Sequence, residues 1–140
     1  MSPAHERGMI DTSTVILLGR LPGPDVLPED VVISAVTLAE LSVGPIVART
    51  ASDRAARQAH LQQAEADFEP LPFDAASARA FGRVAAALRS AGRKPAARAY
   101  DALIAATAIA NDLPLYTCDP NDFAGIGELT IRPVPHPGQT

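Results

Sequence analysis

Short apolar runs separated by helix-length segments constrain this chain more than any other feature. Residues 9–10, 31–34, 113–117 and 129–134 are strand-like, and residues 68–73, interrupted by Pro70 and Pro72, read as a short edge strand. Helical stretches are predicted at 37–47, 53–67, 74–90 and 98–111, with a short helix over 15–18. Segment 74–90 is amphipathic, with Ala78, Phe81, Val84, Ala85 and Leu88 on one face, and Gly92 ends it. Segment 98–111 runs through Ala102-Leu103-Ile104-Ala105-Ala106 and must be covered on most sides. Strands joined by helices pair in parallel. The expected fold is therefore α/β, with a central, mostly parallel sheet and helices on both faces.

A chain of 140 residues suits one domain with a real core. Hydrophobic residues make up 47 % and aromatics 4 %, so that core must come from Ala, Leu, Val and Ile. Residues 1–8 read as a polar lead-in, with Met9 a possible alternative start, and residues 135–140 as a loose Pro-containing tail. The net charge of −4 excludes a protein that coats nucleic acid through bulk positive charge. It leaves room for an enzyme that meets nucleic acid through one local basic patch. Cys118 is the single cysteine, which excludes an intrachain disulfide and fits a reducing compartment. Apolar runs fall far short of the roughly 20 residues of a membrane span, and 1–8 lacks a signal peptide's apolar core. A soluble, cytoplasmic protein is expected.

In a parallel α/β fold, the carboxyl ends of strands and the amino ends of helices share one edge, where ligands bind. Asp11 follows the first strand, and Glu40 lies early in the helix after strand 31–34. Asp101 lies in the first turn of a helix, and Asp119 follows strand 113–117. All four are expected at that edge. Clustered carboxylates repel unless a cation compensates them, and an all-oxygen site suits Mg²⁺ or Mn²⁺. Zinc is disfavoured without a Cys/His set. His5, His60 and His136 read as solvated surface. Acid plus divalent metal is chemistry for phosphodiester cleavage.

Each acid has a structural reading as well. Asp11 could be a helix N-cap, and Glu40 could close a capping box with Thr37. Asp101 could complement a helix dipole, and Asp119 could serve turn chemistry before Pro120. Convergence of all four on one edge favours the site. The basic run Arg89, Arg93, Lys94 and Arg98 leads to Asp101; Lys94 and Arg98 are the candidate nucleic-acid contacts, Arg98 for RNA phosphate or a neighbouring carboxylate. A helix-end role accounts equally well for Arg89 and Arg93. Cys118 lacks a His partner for thiol catalysis.

At these residues the sequence resembles PIN-domain proteins, and among them VapC-type toxins of bacterial toxin–antitoxin pairs. The matching pieces are Met9-Ile10-Asp11-Thr12-Ser13, Thr37-Leu38-Ala39-Glu40-Leu41, Tyr100-Asp101-Ala102-Leu103-Ile104-Ala105-Ala106-Thr107-Ala108 and Leu113-Pro114-Leu115-Tyr116-Thr117-Cys118-Asp119-Pro120-Asn121-Asp122-Phe123. The likeness spans 9–134, as a PIN-like nuclease domain. It implies a three-layer α/β/α sandwich and Mg²⁺- or Mn²⁺-dependent endoribonuclease activity. It also implies a homodimer, inhibition by a VapB-type antitoxin and a higher assembly with it. Asp11, Glu40 and Asp101 carry over as metal ligands; the fourth is Asp119 or Asp122, with Asp119 favoured. A haloacid-dehalogenase-type phosphatase would want a second Asp where Ser13 stands, and a response-regulator receiver lacks its Asp pair. A catalytically silent binding module is the remaining alternative.

Overall fold

The computed structural model describes residues 6–138. Five strands form one sheet: β1 (Arg7–Ile10), β2 (Asp30–Ser34), β3 (Glu69–Leu71), β4 (Leu115–Thr117) and β5 (Ile131–Pro133). Their order is β3-β2-β1-β4-β5, and all four pairings are parallel. Five α-helices accompany them: α1 (Thr12–Leu17), α2 (Ala35–Val47), α3 (Ala51–Asp67), α4 (Ala75–Ser90) and α5 (Ala99–Ala110). The expected α/β sandwich is the observed one.

Strand alternation sorts the helices into two layers. Met9, Val32 and Leu115 face α4 and α5, in a core with Val84, Leu88, Ile104 and Phe123. Ile10 and Ile33 face the other way, against Val15 of α1, Leu41 of α2 and Ala64 of α3. Helix α5 carries six buried residues, as its nearly all-apolar sequence requires. Truncating fully buried Ile104 to Ala would cost about 2–5 kcal/mol. In α4 Val84 and Leu88 are buried as expected and Phe81 and Ala85 are half-buried, but the covered stripe is turned toward Ser77 and Ala80 and leaves Ala78 exposed. Tertiary packing chose between two stripes that an Ala-rich helix offers almost equally.

Several boundaries move from the sequence reading. Strand β1 starts at Arg7, inside the supposed lead-in, and Gly8 permits it: a Cβ there would lie 2.7 Å from the Tyr116 ring. Helix α2 starts at Ala35 because Ser34, not Thr37, is its cap, accepting from the Val36 amide at 3.0 Å. Thr50 and Asp74 cap α3 and α4 through the amides of Asp53 and Ser77. Strands β4 and β5 are three residues each, shorter than their apolar runs. Helix α4 ends in a Schellman turn: Gly92 (φ +76°) donates to the Arg89 carbonyl and Arg93 to the Leu88 carbonyl. None of the described helices is long and apolar enough to cross a membrane.

Candidate active site

The chain moves outward from β1 to β2 and β3, then returns through α4 and α5 to β4 on the other side of β1. This reversal leaves a crevice at the carboxyl ends of β1 and β4. Asp11 leaves β1 at that point and is 2 % exposed. It occupies the N-cap position of α1, yet its side chain makes no capping bond there. Its carboxylate is instead ringed by hydroxyls. Thr14 Oγ1 donates to Oδ1, and Ser13 Oγ and Thr117 Oγ1 lie 3.0 Å from Oδ2. Thr14 and Thr117 in turn accept the amides of Cys118 (3.1 Å) and Asp119 (2.9 Å). With an amide pointing at each oxygen, each hydroxyl proton is directed to Asp11. The carboxylate therefore orders the loop after β4. Burial pushes its pKa up, and the three hydroxyls pull against that rise.

Asp101, in the first turn of α5, is pushed up to about 6 by desolvation, then by the negative charges of Asp122, Asp11 and Glu40; Arg98 opposes the rise. Glu40 sits in the second turn of α2, and its Oε1 is buried without a hydrogen-bond partner. Its capping-box reading fails, because Thr37 lies inside the helix and accepts from Thr12 Oγ1 at 3.1 Å. Asp119 and Asp11 share Ser13, whose Oγ lies 2.9 Å from Asp119 Oδ2. Asp122 receives Arg98 Nη1 at 2.9 Å, and the same nitrogen lies 3.8 Å from Asp101.

All four acids named from sequence thus reach one edge, and Asp122 joins them. Both sides of the choice between Asp119 and Asp122 are present, Asp119 tied to Asp11 and Asp122 nearer in charge to Asp101. Arg98 touches carboxylates, one of its two expected roles, and Lys94 is exposed. Ser13, Thr14 and Thr117, which hold the Asp11 carboxylate, are the residues that sequence reasoning passed over as turn and strand residues. For Ser13 and Thr14 the signal was an uninterrupted polar run, Asp11-Thr12-Ser13-Thr14, where an apolar strand meets a helix; Thr117, at the end of β4, carried none. His60 is half-buried and lines a cavity of about 270 Å³ with Glu40, Thr12 and Arg57, so it is not simply solvated. His136 Nδ1 accepts from the Gly138 amide, and His5 lies outside the described residues. Cys118 is buried, and burial raises its thiol pKa, which keeps it protonated and unreactive.

Among the described residues, no three acidic, His or Cys side chains close into a finished cage. Arg98 and Ser13 bridge the acids in pairs instead. The donor set still fits a hard divalent cation. It is all oxygen, it includes an orphaned Glu40 oxygen, and its burial together with the neighbouring carboxylate charges raises Asp101 to about 6, a cost that a cation would relieve.

The PIN domain family matches residues 9–129. Ribonuclease VapC5 of Mycobacterium tuberculosis is 40% identical over 128 residues, 90% of this chain and 92% of that protein. The structure of VapBC-5, a member of the VapBC family of toxin-antitoxin systems from the same organism, superposes with a TM-score of 0.78 at 37% identity. It covers 94% of this chain and all of that one. FitAcB from Neisseria gonorrhoeae superposes with a TM-score of 0.69 at 28% identity, over 94% and 99% of the two chains. With the acidic edge at the β1–β4 crevice, these matches establish that the chain belongs to the PIN-domain family and to its VapC ribonucleases.

Proposed function

We propose that this protein is an endoribonuclease and the toxin of a toxin–antitoxin pair. Its acids Asp11, Glu40, Asp101 and Asp119, with Asp122 beside them, would hold Mg²⁺ or Mn²⁺. The observation that carries this reading is the meeting of acids from four separate segments at one crevice, where desolvation and then the charges of Asp122, Asp11 and Glu40 raise Asp101 to about 6. When bound, the ion supplies hydroxide from coordinated water and neutralises charge at the phosphate. Ser13, Thr14 and Thr117 fix the Asp11 carboxylate, so it meets a ligand without rearranging. Arg98, with 47% of its side chain exposed, can turn from Asp122 to an RNA phosphate, and Lys94 stands four residues before it.

The relatives support the partner. VapBC-5 is named for a toxin–antitoxin system, and a VapB-type antitoxin is the corresponding partner here. Exposed Ile46, Val47 and Val43 on α2 and Tyr100 on α5 are apolar surface that a homodimer or the antitoxin would cover. A cytoplasmic location fits the single thiol.

The deciding experiment is RNA cleavage by the purified protein. Cleavage is expected with Mg²⁺ or Mn²⁺, is lost in EDTA and is not restored by Zn²⁺ alone. Full activity in EDTA overturns the metal reading, and no cleavage with Mn²⁺ favours a silent binding module.

A further inference from the structure

A groove on the other side of Arg98 is a candidate binding site in its own right. It has a volume of about 560 Å³, within the range of ligand clefts. Its floor is apolar, built from Phe81 and Ala85 of α4, Pro95 and Ala96 of the following turn, and Ala99 of α5; Arg89, Arg93 and Lys94 form its rim. Arg93 is committed to structure, since its Nη1 donates to the carbonyls of Asn121 and Ala124 at 3.1 Å each. Those bonds tie the groove's wall to the loop that carries Asp122. Arg89 and Lys94, by contrast, make no ion pair or hydrogen bond among the described residues, and both are exposed. They are not needed as helix-end caps. The amides of Ala91, Gly92 and Arg93 already serve the last carbonyls of α4.

We propose that this groove binds single-stranded RNA next to the cleavage crevice, with phosphates on Arg89 and Lys94 and an unpaired base against the apolar floor. The inference rests on the endoribonuclease reading and extends it to the path of the substrate. A chain of net charge −4 repels a polyanion over most of its surface. Free cations above an apolar floor reverse that locally, and this pairing of groups is how single strands are held: charge for the backbone, flat apolar contact for the bases. The segment from Lys94 to Asp101 links groove and crevice directly. Lys94 is on the rim, Ala99 on the floor, Arg98 on the acids, and Asp101 among them.

The test is fluorescence anisotropy of a short labelled single-stranded RNA in EDTA, where binding is read without cleavage. R89Q/K94Q should bind roughly tenfold more weakly or worse, and its salt slope should fall by about 1.4, near 0.7 per lost phosphate contact. Each single variant should remove about half of that slope. R20Q/R49Q removes the same charge at two cations outside the groove and should change affinity less than twofold. Unchanged binding by R89Q/K94Q overturns the proposal, as does an equal loss in both double variants or no RNA binding by the wild type. A double variant that binds RNA normally but dissociates in light scattering also overturns it, marking the groove as a contact between copies. Wild-type protein that binds as described yet cuts nothing with Mn²⁺ would fail the endoribonuclease reading while leaving the groove standing.

Discussion

Arg98 Nη1 lies 2.9 Å from Asp122 and 3.8 Å from Asp101, so one guanidinium spans carboxylates from two different elements. In the crevice a cation of the chain stands where a divalent ion would compete for the same oxygens. Arg98→Gln should therefore bind Mn²⁺ severalfold more tightly at pH 8, measured by calorimetry. Near pH 6 the gain should shrink, because Arg98 also lowers the Asp101 pKa and its loss favours the protonated acid. Weaker Mn²⁺ binding at pH 8 would show that Arg98 organises the acids rather than competing for them.

Asp101→Asn and Glu40→Gln separate the site from the fold. Asp101 is repelled by its neighbours, and Glu40 Oε1 has no partner to lose. Both variants should lose RNA cleavage and Mn²⁺ binding, while melting temperature without metal stays level or rises by a few degrees. Two active variants would end the case for these residues.

Asp11→Asn behaves differently, because the carboxylate receives hydroxyl protons at both oxygens. An amide presents an N–H₂ on one side, where Thr14 or Thr117 already donates. This variant should be inactive and destabilised by about 1–3 kcal/mol, the cost of a buried polar clash. Thr14→Val should lose a similar amount, since it strips both the Asp11 bond and the acceptor of the Cys118 amide. A fully stable Asp11→Asn in denaturant unfolding would refute the hydroxyl relay.

The raised pKa of Asp101 sets a pH dependence. Its folded value of about 6 lies above the ordinary 3.8, so between those values the native state binds more protons than the unfolded one. Stability from this group is present below about pH 4 and lost as pH rises toward 6. The full shift corresponds to roughly 3 kcal/mol. Partial solvent screening reduces this to on the order of 1–2 kcal/mol, a few degrees of melting temperature. In metal-free wild type this descending slope should appear, and Asp101→Asn should weaken it, leaving the part that comes from the raised pKa of buried Asp11. Stabilisation by Mn²⁺ should grow across the same interval, because the ion takes the deprotonated acid. Identical pH profiles for the two proteins would contradict the coupling.

The layer order and the placement of Asp11, Glu40 and Asp101 were legible from local pattern. Strand runs, helix periodicity and their alternation are properties of short segments, and parallel connection puts strand ends and helix starts on one edge. The start of α2 was not legible, because Ser34 and Thr37 are equally good caps in isolation. Only packing of Thr37 against Thr12 decided between them.

By itself the sequence determined that acids from distant segments would share an edge, since that follows from fold class alone. Which side chains lie between those acids belonged to the tertiary structure. Ser13 joins Asp11 to Asp119, Arg98 joins Asp101 to Asp122, and Thr14 and Thr117 turn their protons to Asp11. These contacts join residues up to 106 positions apart. They depend on the register of β1 beside β4 and on burial, and neither is encoded in any single segment.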